Sequence, residues 1–218
     1  MNYSELQIEF EKVIDREKFS DKVKPIREKA FENFMSLGFP NKKWEDWRFT
    51  NLSGFNKNSY VVTDKSHNAP TGLNLDGFHI PDMHTIVFIN GHYDTELSDK
   101  IDGVKLMTSL EYDEYKNSSI NYVSKCPFEL LNTAFMDSGM SMVIHENNTL
   151  NKPVRFLFVT SSNENIMIFP KINIECKENS SLTFLQHSVG DSNDFFVNSS
   201  ISCFLGKNSS MHHIKIMG

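Results

Sequence analysis

INIECKENSSLTFL, Ile172–Leu185, is followed 29 residues on by a close counterpart, ISCFLGKNSSMHHI, Ile201–Ile214. Each reads as an alternating strand, a polar turn carrying Asn-Ser-Ser, and a second alternating strand. SMVIHENNTL, from Ser141, is a weaker third copy. Side chains of a strand point to opposite faces in turn, so this period of two marks strands with one face inward. Recurrence of strand and tight turn at a period of roughly 20–50 residues indicates a solenoid, a blade array or a β-helix rather than an α/β enzyme. The spacing is not strict, and on these grounds an antiparallel sandwich stays open.

If the copies align, His213 takes the inward place of Phe184, and the adjacent His212 points the other way. One metal ion could hardly use both, so a core histidine with a hydrogen-bond partner is expected. Cys176 and Cys203 occupy alternating apolar positions, where buried, inert thiols are the default. The chain stops directly after a strand, SSMHHIKIMG. An end of that kind leaves strand edges and core bare, so the sequence is expected to be the front part of a longer protein.

Upstream the texture is helical. Ser4 and Gln7 fit a capping box ahead of Leu6, Phe10, Val13 and Ile14. Pro25 suits the first turn of a second helix, whose stripe of Ile26, Ala30, Phe34 and Leu37 should close at Gly38, with Pro40 forbidding continuation. The stretch GFPNKKWEDWRFT, Gly38–Thr50, holds both tryptophans of the chain. It reads as a structural clasp in which Trp44, Trp47 and Phe49 bury apolar area. From about residue 56 to 76 the chain is polar and loop-like, with a short strand at Tyr60–Val62. His84–Tyr93 reads as strand, Asn90-Gly91 turn and returning strand, since a type I′ turn needs positive φ at both central residues. Another strand follows from Gly103, a short helix from Thr108 through Tyr115, and a helix from Pro127 to Met136 closed by Gly139.

The formal charge of −6 and the isoelectric point near 5.7 argue against a general polyanion binder, because acids are interspersed with the bases. Three dispersed cysteines, Cys126, Cys176 and Cys203, form no disulfide framework. The acidic amphipathic start has no signal or transit pattern, and no apolar run approaches the ~18 residues of a membrane span. A soluble cytoplasmic protein is expected.

No zinc-ligand spacing occurs among the eight histidines, and no Walker loop, G-x-S-x-G or G-x-G-x-x-G is present. Glu45 and Asp46 are neighbours in sequence, which does not make a catalytic acid pair. No catalytic, cofactor-binding or metal-binding residue is assigned.

Three segments together resemble the SufB/SufD family of iron–sulfur cluster assembly proteins, most closely its SufD branch. GFPNKKWEDWRFTNL, from Gly38, is similar to that branch's G-F-P-x-x-K-x-E-x-W-[KR]-[YF]-T signature. FINGHYDTELSDKIDGVKLMTSL, from Phe88, follows the pattern V-N-G, L-S, G-V. PFELLNTAFMDSGMSMVIHENNTLNKPVRFLF, from Pro127, resembles F-x-x-L-N-x-A, a glycine, an I-x-[IV] strand and L-x-x-P-[IV]. The resemblance implies an N-terminal helical region, a right-handed parallel β-helix and a C-terminal helical region, the last missing here. It also implies partnership with a SufB-like homologue and a SufC-like ATPase. Family members are about twice as long as this chain, far above the ~100–150 residues of a modal domain. No cluster-ligand role carries over to Cys126, Cys176, Cys203 or any histidine.

The expected organisation is a helical region over residues 1–55, a mixed α/β connecting region with a hairpin over 56–139, and the first turns of a β-helix over 140–218. The expected function is that of a non-catalytic scaffold subunit of a SufBCD-type complex, with no cofactor bound by this part and the iron–sulfur cluster held at the level of the complex. Neither nucleic acid nor membrane is an expected partner. Two alternatives stand beside it. One is a carbohydrate-active β-helix protein using Lys152, Arg155, Lys171 and Lys177 along a groove. The other is a metal or cluster carrier using the scattered cysteines and histidines.

Overall fold

In the computed structural model the repeat is visible as register. The described residues are 2–16, 23–52, 58–64, 78, 80–108, 124–136, 138–190 and 194–217; the short helix expected from Thr108 and most of the polar loop lie outside them. The elements needed are α1 (Tyr3–Arg16), α2 (Val23–Leu37), α3 (Pro127–Phe135), β1 (Val61–Val62), β2 (His84–Ile89), β3 (His92–Asp94) and β4 (Val104–Met107). Then come β5 (Ser138–Ile144), β6 (Val154–Thr160), β7 (Ile166–Ile168), β8 (Pro170–Cys176), β9 (Ser181–Gly190), β10 (Phe195–Val197), β11 (Ser200–Leu205) and β12 (Ser210–Met217).

From β5 onward each strand passes to the next of three sheets, then returns beside its predecessor. The sheets run β4-β5-β8-β11, β3-β2-β6-β9-β12 and β1-β7-β10. Every pairing between successive coils is parallel: Ile172 lies beside Ile201, Ser181 beside Ser210, and Phe184 beside His213. Parallel pairing excludes the antiparallel sandwich. The polar turns stack as well. Asn147, Asn179 and Asn208 all hold positive φ, near 55°. Asn179 donates Nδ2 to Asn147 Oδ1 at 3.0 Å, and Asn208 donates to Asn179 Oδ1 at 3.2 Å. Asparagine tolerates the left-handed region because its short amide bonds locally, and here one residue type serves both turn and ladder. Asn179→Ala should therefore cost about 2 kcal/mol in urea denaturation, and Asn179→Gly distinctly less, because glycine keeps φ while losing only exposed hydrogen bonds.

Between the sheets runs an aromatic column. Phe88 stacks on Phe158 at 4.6 Å, Phe156 meets Phe184 at 5.5 Å, and Phe184 stacks on His213 at 4.1 Å. Ile172, Ile174 and Cys176 of β8 face this core; Lys171, Asn173 and Glu175 face outward yet are also buried. Asn173 donates to Ser141 Oγ on β5, and Glu175 pairs with Lys177 at 2.7 Å. Alternation in β8 thus separates apolar core from a satisfied polar layer, rather than core from solvent.

The helices cover the third sheet. Phe10, Phe31, Phe34, Leu131 and Phe135 pack against Val62, Met167 and Phe169. Asn132 fastens α3 by donating to Pro170 C=O and Asn198 C=O, and Asn198 answers with a bond to Phe128 C=O. Three sequence expectations need correction. The capping box at α1 is Asn2 with Glu5, which exchange hydrogen bonds of 2.9 and 3.0 Å, so Ser4 lies inside the first turn. The buried face of α2 is Val23, Arg27, Ala30, Phe31 and Phe34, while Leu37 stays 39% exposed. Gly139 does not close α3: the helix ends at Met136 in extended conformation, and Gly139 sits inside β5.

Candidate functional site

The aromatic stretch after α2 is built on Gly38, whose φ of +74° lets its N–H reach Phe34 C=O at 2.7 Å. Phe39 then turns back: its N–H donates to Tyr3 Oη, and its ring packs on Tyr3, Phe34 and Phe128. Trp47 lies against Phe128 at 5.1 Å. So far this is a clasp between α2 and α3. Phe49 departs from the expectation: it is 89% exposed, with the Arg48 guanidinium 4.7 Å from its own ring. Trp44 and Trp47 are half-buried. Trp47→Ala should lower the thermal midpoint, at a cost of about 1–2 kcal/mol for a half-buried ring, while Phe49→Ala should leave it within error.

Cys126 and Cys203 are exposed and Cys176 is buried, which corrects the expectation for Cys203. Burial raises the thiol pKa of Cys176, opposite to what activates a nucleophile. Among the described residues no three His, Cys, Asp or Glu side chains converge on a metal-sized space. The four basic residues of the carbohydrate reading do not line one groove. Lys152 pairs with Asp82 at 3.7 Å, Lys177 pairs with Glu175, and Lys171 and Arg155 are only 3% and 2% exposed. Arg155 is held by Phe78 C=O and Thr85 Oγ1.

Beside Arg155, His187 has a buried Nδ1 with no hydrogen-bond partner among the described residues. Burial first, and the neighbouring guanidinium second, hold its pKa below the ordinary 6.5. The unfolded chain therefore binds that proton at higher pH than the native state. Stability should be complete above about pH 6.5 and decline as pH falls below it, and His187→Gln should flatten urea midpoints measured across that window.

Among the described residues a recess of about 290 Å³ lies between the sheets at the last coil. Phe158, Ile168, Phe195 and Val197 give it apolar walls; Thr160, Gln186, Ser188, Ser199 and Lys215 give it donors. Gln186 and Lys215 are register partners on β9 and β12, two residues beyond Phe184 and His213. The inward column thus changes character along the stack, from Phe88, Phe156 and Phe158 to Gln186 and Lys215. His213 does take the register position of Phe184 and stacks on its ring, but it is exposed on the last coil rather than the core histidine expected, and Lys215, two residues on, is exposed as well.

Comparison with known proteins bears on residues 1–156, which match the family model described as the SufBD protein N-terminal region. The chain is also 27% identical over 215 residues to an iron–sulfur cluster assembly SufBD family protein of Synechocystis sp., covering 87% of this chain and 46% of that relative. It spans about half the length of the curated relative it matches.

Proposed function

Because the chain belongs to the SufB/SufD family, we propose that it serves iron–sulfur cluster assembly as a non-catalytic scaffold subunit, in the manner of SufD, beside a SufB-like homologue and a SufC-like ATPase. The observation that carries this reading is the match of the N-terminal-region model over residues 1–156, which takes in all three sequence motifs up to the start of β6. The parallel, three-sheet stack supports it physically. Each coil buries its apolar face against the next, so the stack resists bending and suits a platform that holds partners while a separate ATPase supplies the motion. We read that stack as the right-handed parallel β-helix expected of the family. The carbohydrate alternative loses its support, since Arg155 and Lys171 are buried rather than arrayed on a groove.

Genetic depletion tests the role. Loss of the full-length protein should lower the activity of several iron–sulfur enzymes together while their polypeptide levels hold, and complementation should restore them. Unchanged iron–sulfur enzyme activity under iron limitation would remove the proposal.

A further inference from the structure

We propose that His187 is a proton-operated latch on the outer face of the sheet β3-β2-β6-β9-β12, holding Phe78 there while neutral and releasing it when protonated. This property is independent of the family role. His187 pairs in register with Leu157, and Arg155 with Leu185, so the two side chains share one face of adjacent strands, two residues apart. Phe78 bridges them. Its C=O accepts from the Arg155 guanidinium, and its ring stands at 75° to the His187 imidazole, with centroids 6.3 Å apart. The same ring packs on the buried cluster Val87, Ile89, Leu157 and Val159, with Val189 beside it. One residue thus covers an apolar patch and leans on a titratable group.

Two buried nitrogens at this contact, His187 Nδ1 and Arg155 Nε, have no hydrogen-bond partner among the described residues. The other two guanidinium nitrogens are directed at Phe78 C=O and Thr85 Oγ1. A neutral imidazole tolerates this place, with the lone pair on Nδ1. A proton there adds a donor with no acceptor, and a second positive charge beside a guanidinium where little water screens it. Few described groups offset that charge. β9 holds no other titratable side chain; on β12 Ile216 is the register partner of His187, and Lys215 beside it belongs to the opposite face. From β2, Thr85 brings a hydroxyl, and the Asp99 carboxylate that accepts its N–H at 2.7 Å acts on the guanidinium. Burial first and Arg155 second keep the His187 pKa below 6.5. The strain is relieved when the imidazole parts from Arg155 and Phe78, a state that titrates near the ordinary value. Above about pH 6.5 the latch therefore stays closed. Each pH unit below it raises the open population by up to about tenfold, until the native pKa is passed.

The test follows methyl resonances of the whole chain from about pH 8 to about pH 5, with the His187 Hε1 signal read in the same samples. Methyls of Val87, Leu157 and Val189 should shift as the Phe78 ring leaves, on a one-proton curve with the midpoint of His187, below pH 6.5. Leu131, in the separate helical cluster, should stay in place. His187→Gln should flatten the methyl curves, and Phe78→Leu should remove them while His187 still titrates. The unaltered chain is decisive by itself if either variant folds poorly. A His187 midpoint at or above pH 6.5, methyls that stay fixed while His187 titrates, or curves that persist in His187→Gln would overturn the latch.

Discussion

Gly139→Ala will separate β5 from β8 and leave little folded protein. A Cβ built on Gly139 would lie 2.1 Å from Lys171 O and 2.6 Å from Lys171 N, backbone atoms of the paired strand. Nor can β8 step aside. It is paired to β11 over six residues on its other edge, and Asn132 holds Pro170 from above. The φ of +107° adds a second penalty, since L side chains avoid that region. The expected loss exceeds about 4 kcal/mol, in the range reserved for disrupted cores and backbone clashes. Urea denaturation followed by circular dichroism checks it, and a loss below about 1 kcal/mol would contradict the close approach of the two strands.

Asn90→Ala should cost about 3 kcal/mol through a different mechanism. Asn90 is 1% exposed and closes the β2–β3 hairpin at φ +49°, followed by Gly91 at +88°. Its side chain behaves like a strand neighbour: Oδ1 accepts from Ser161 N–H and Nδ2 donates to Ser161 C=O, both at 2.9 Å. Its own carbonyl accepts from Thr63 Oγ1. Alanine would remove both hydrogen bonds to the buried backbone of Ser161 and would have to hold a left-handed conformation. Asn90→Gly separates the two effects, because it relieves the conformation and keeps the lost bonds; about two-thirds of the destabilisation should remain. If Asn90→Gly were neutral, the hairpin turn alone would matter and the bridge to β6 would not.

Both residues show where sequence was sufficient and where it was not. Asn90-Gly91 announced a hairpin because turn chemistry is local, and the structure has it. The tie from Asn90 to Ser161 joins residues 71 apart, and nothing local encodes it. The repeat was legible for a related reason: Asn179 and Asn208 each need the same turn conformation, so the same residues recur 29 apart. Gly139 was legible as important and misread in role, since a glycine after a helix resembles a C-cap and the competing demand came from a strand 32 residues on. Phe49 was misjudged because hydrophobicity predicts burial only on average. The burial of Lys171 and Glu175 was likewise beyond the pattern, which assigns them a side of the strand but not what covers that side. Alignment of the copies gave the register of His213 beside Phe184 but not its exposure, and the recess lined by Gln186 and Lys215 emerged only when register was followed through β12.

The platform role proposed here in iron–sulfur cluster assembly makes a direct demand on the partners that accompany the protein. Affinity purification of the tagged full-length protein from its native host, in mild buffer and with stoichiometry read by mass spectrometry, addresses that role most directly. The prediction is near-equimolar recovery of a SufB-like homologue together with a SufC-like ATPase. Recovery of the protein alone, or with a constant set of other partners, would contradict it.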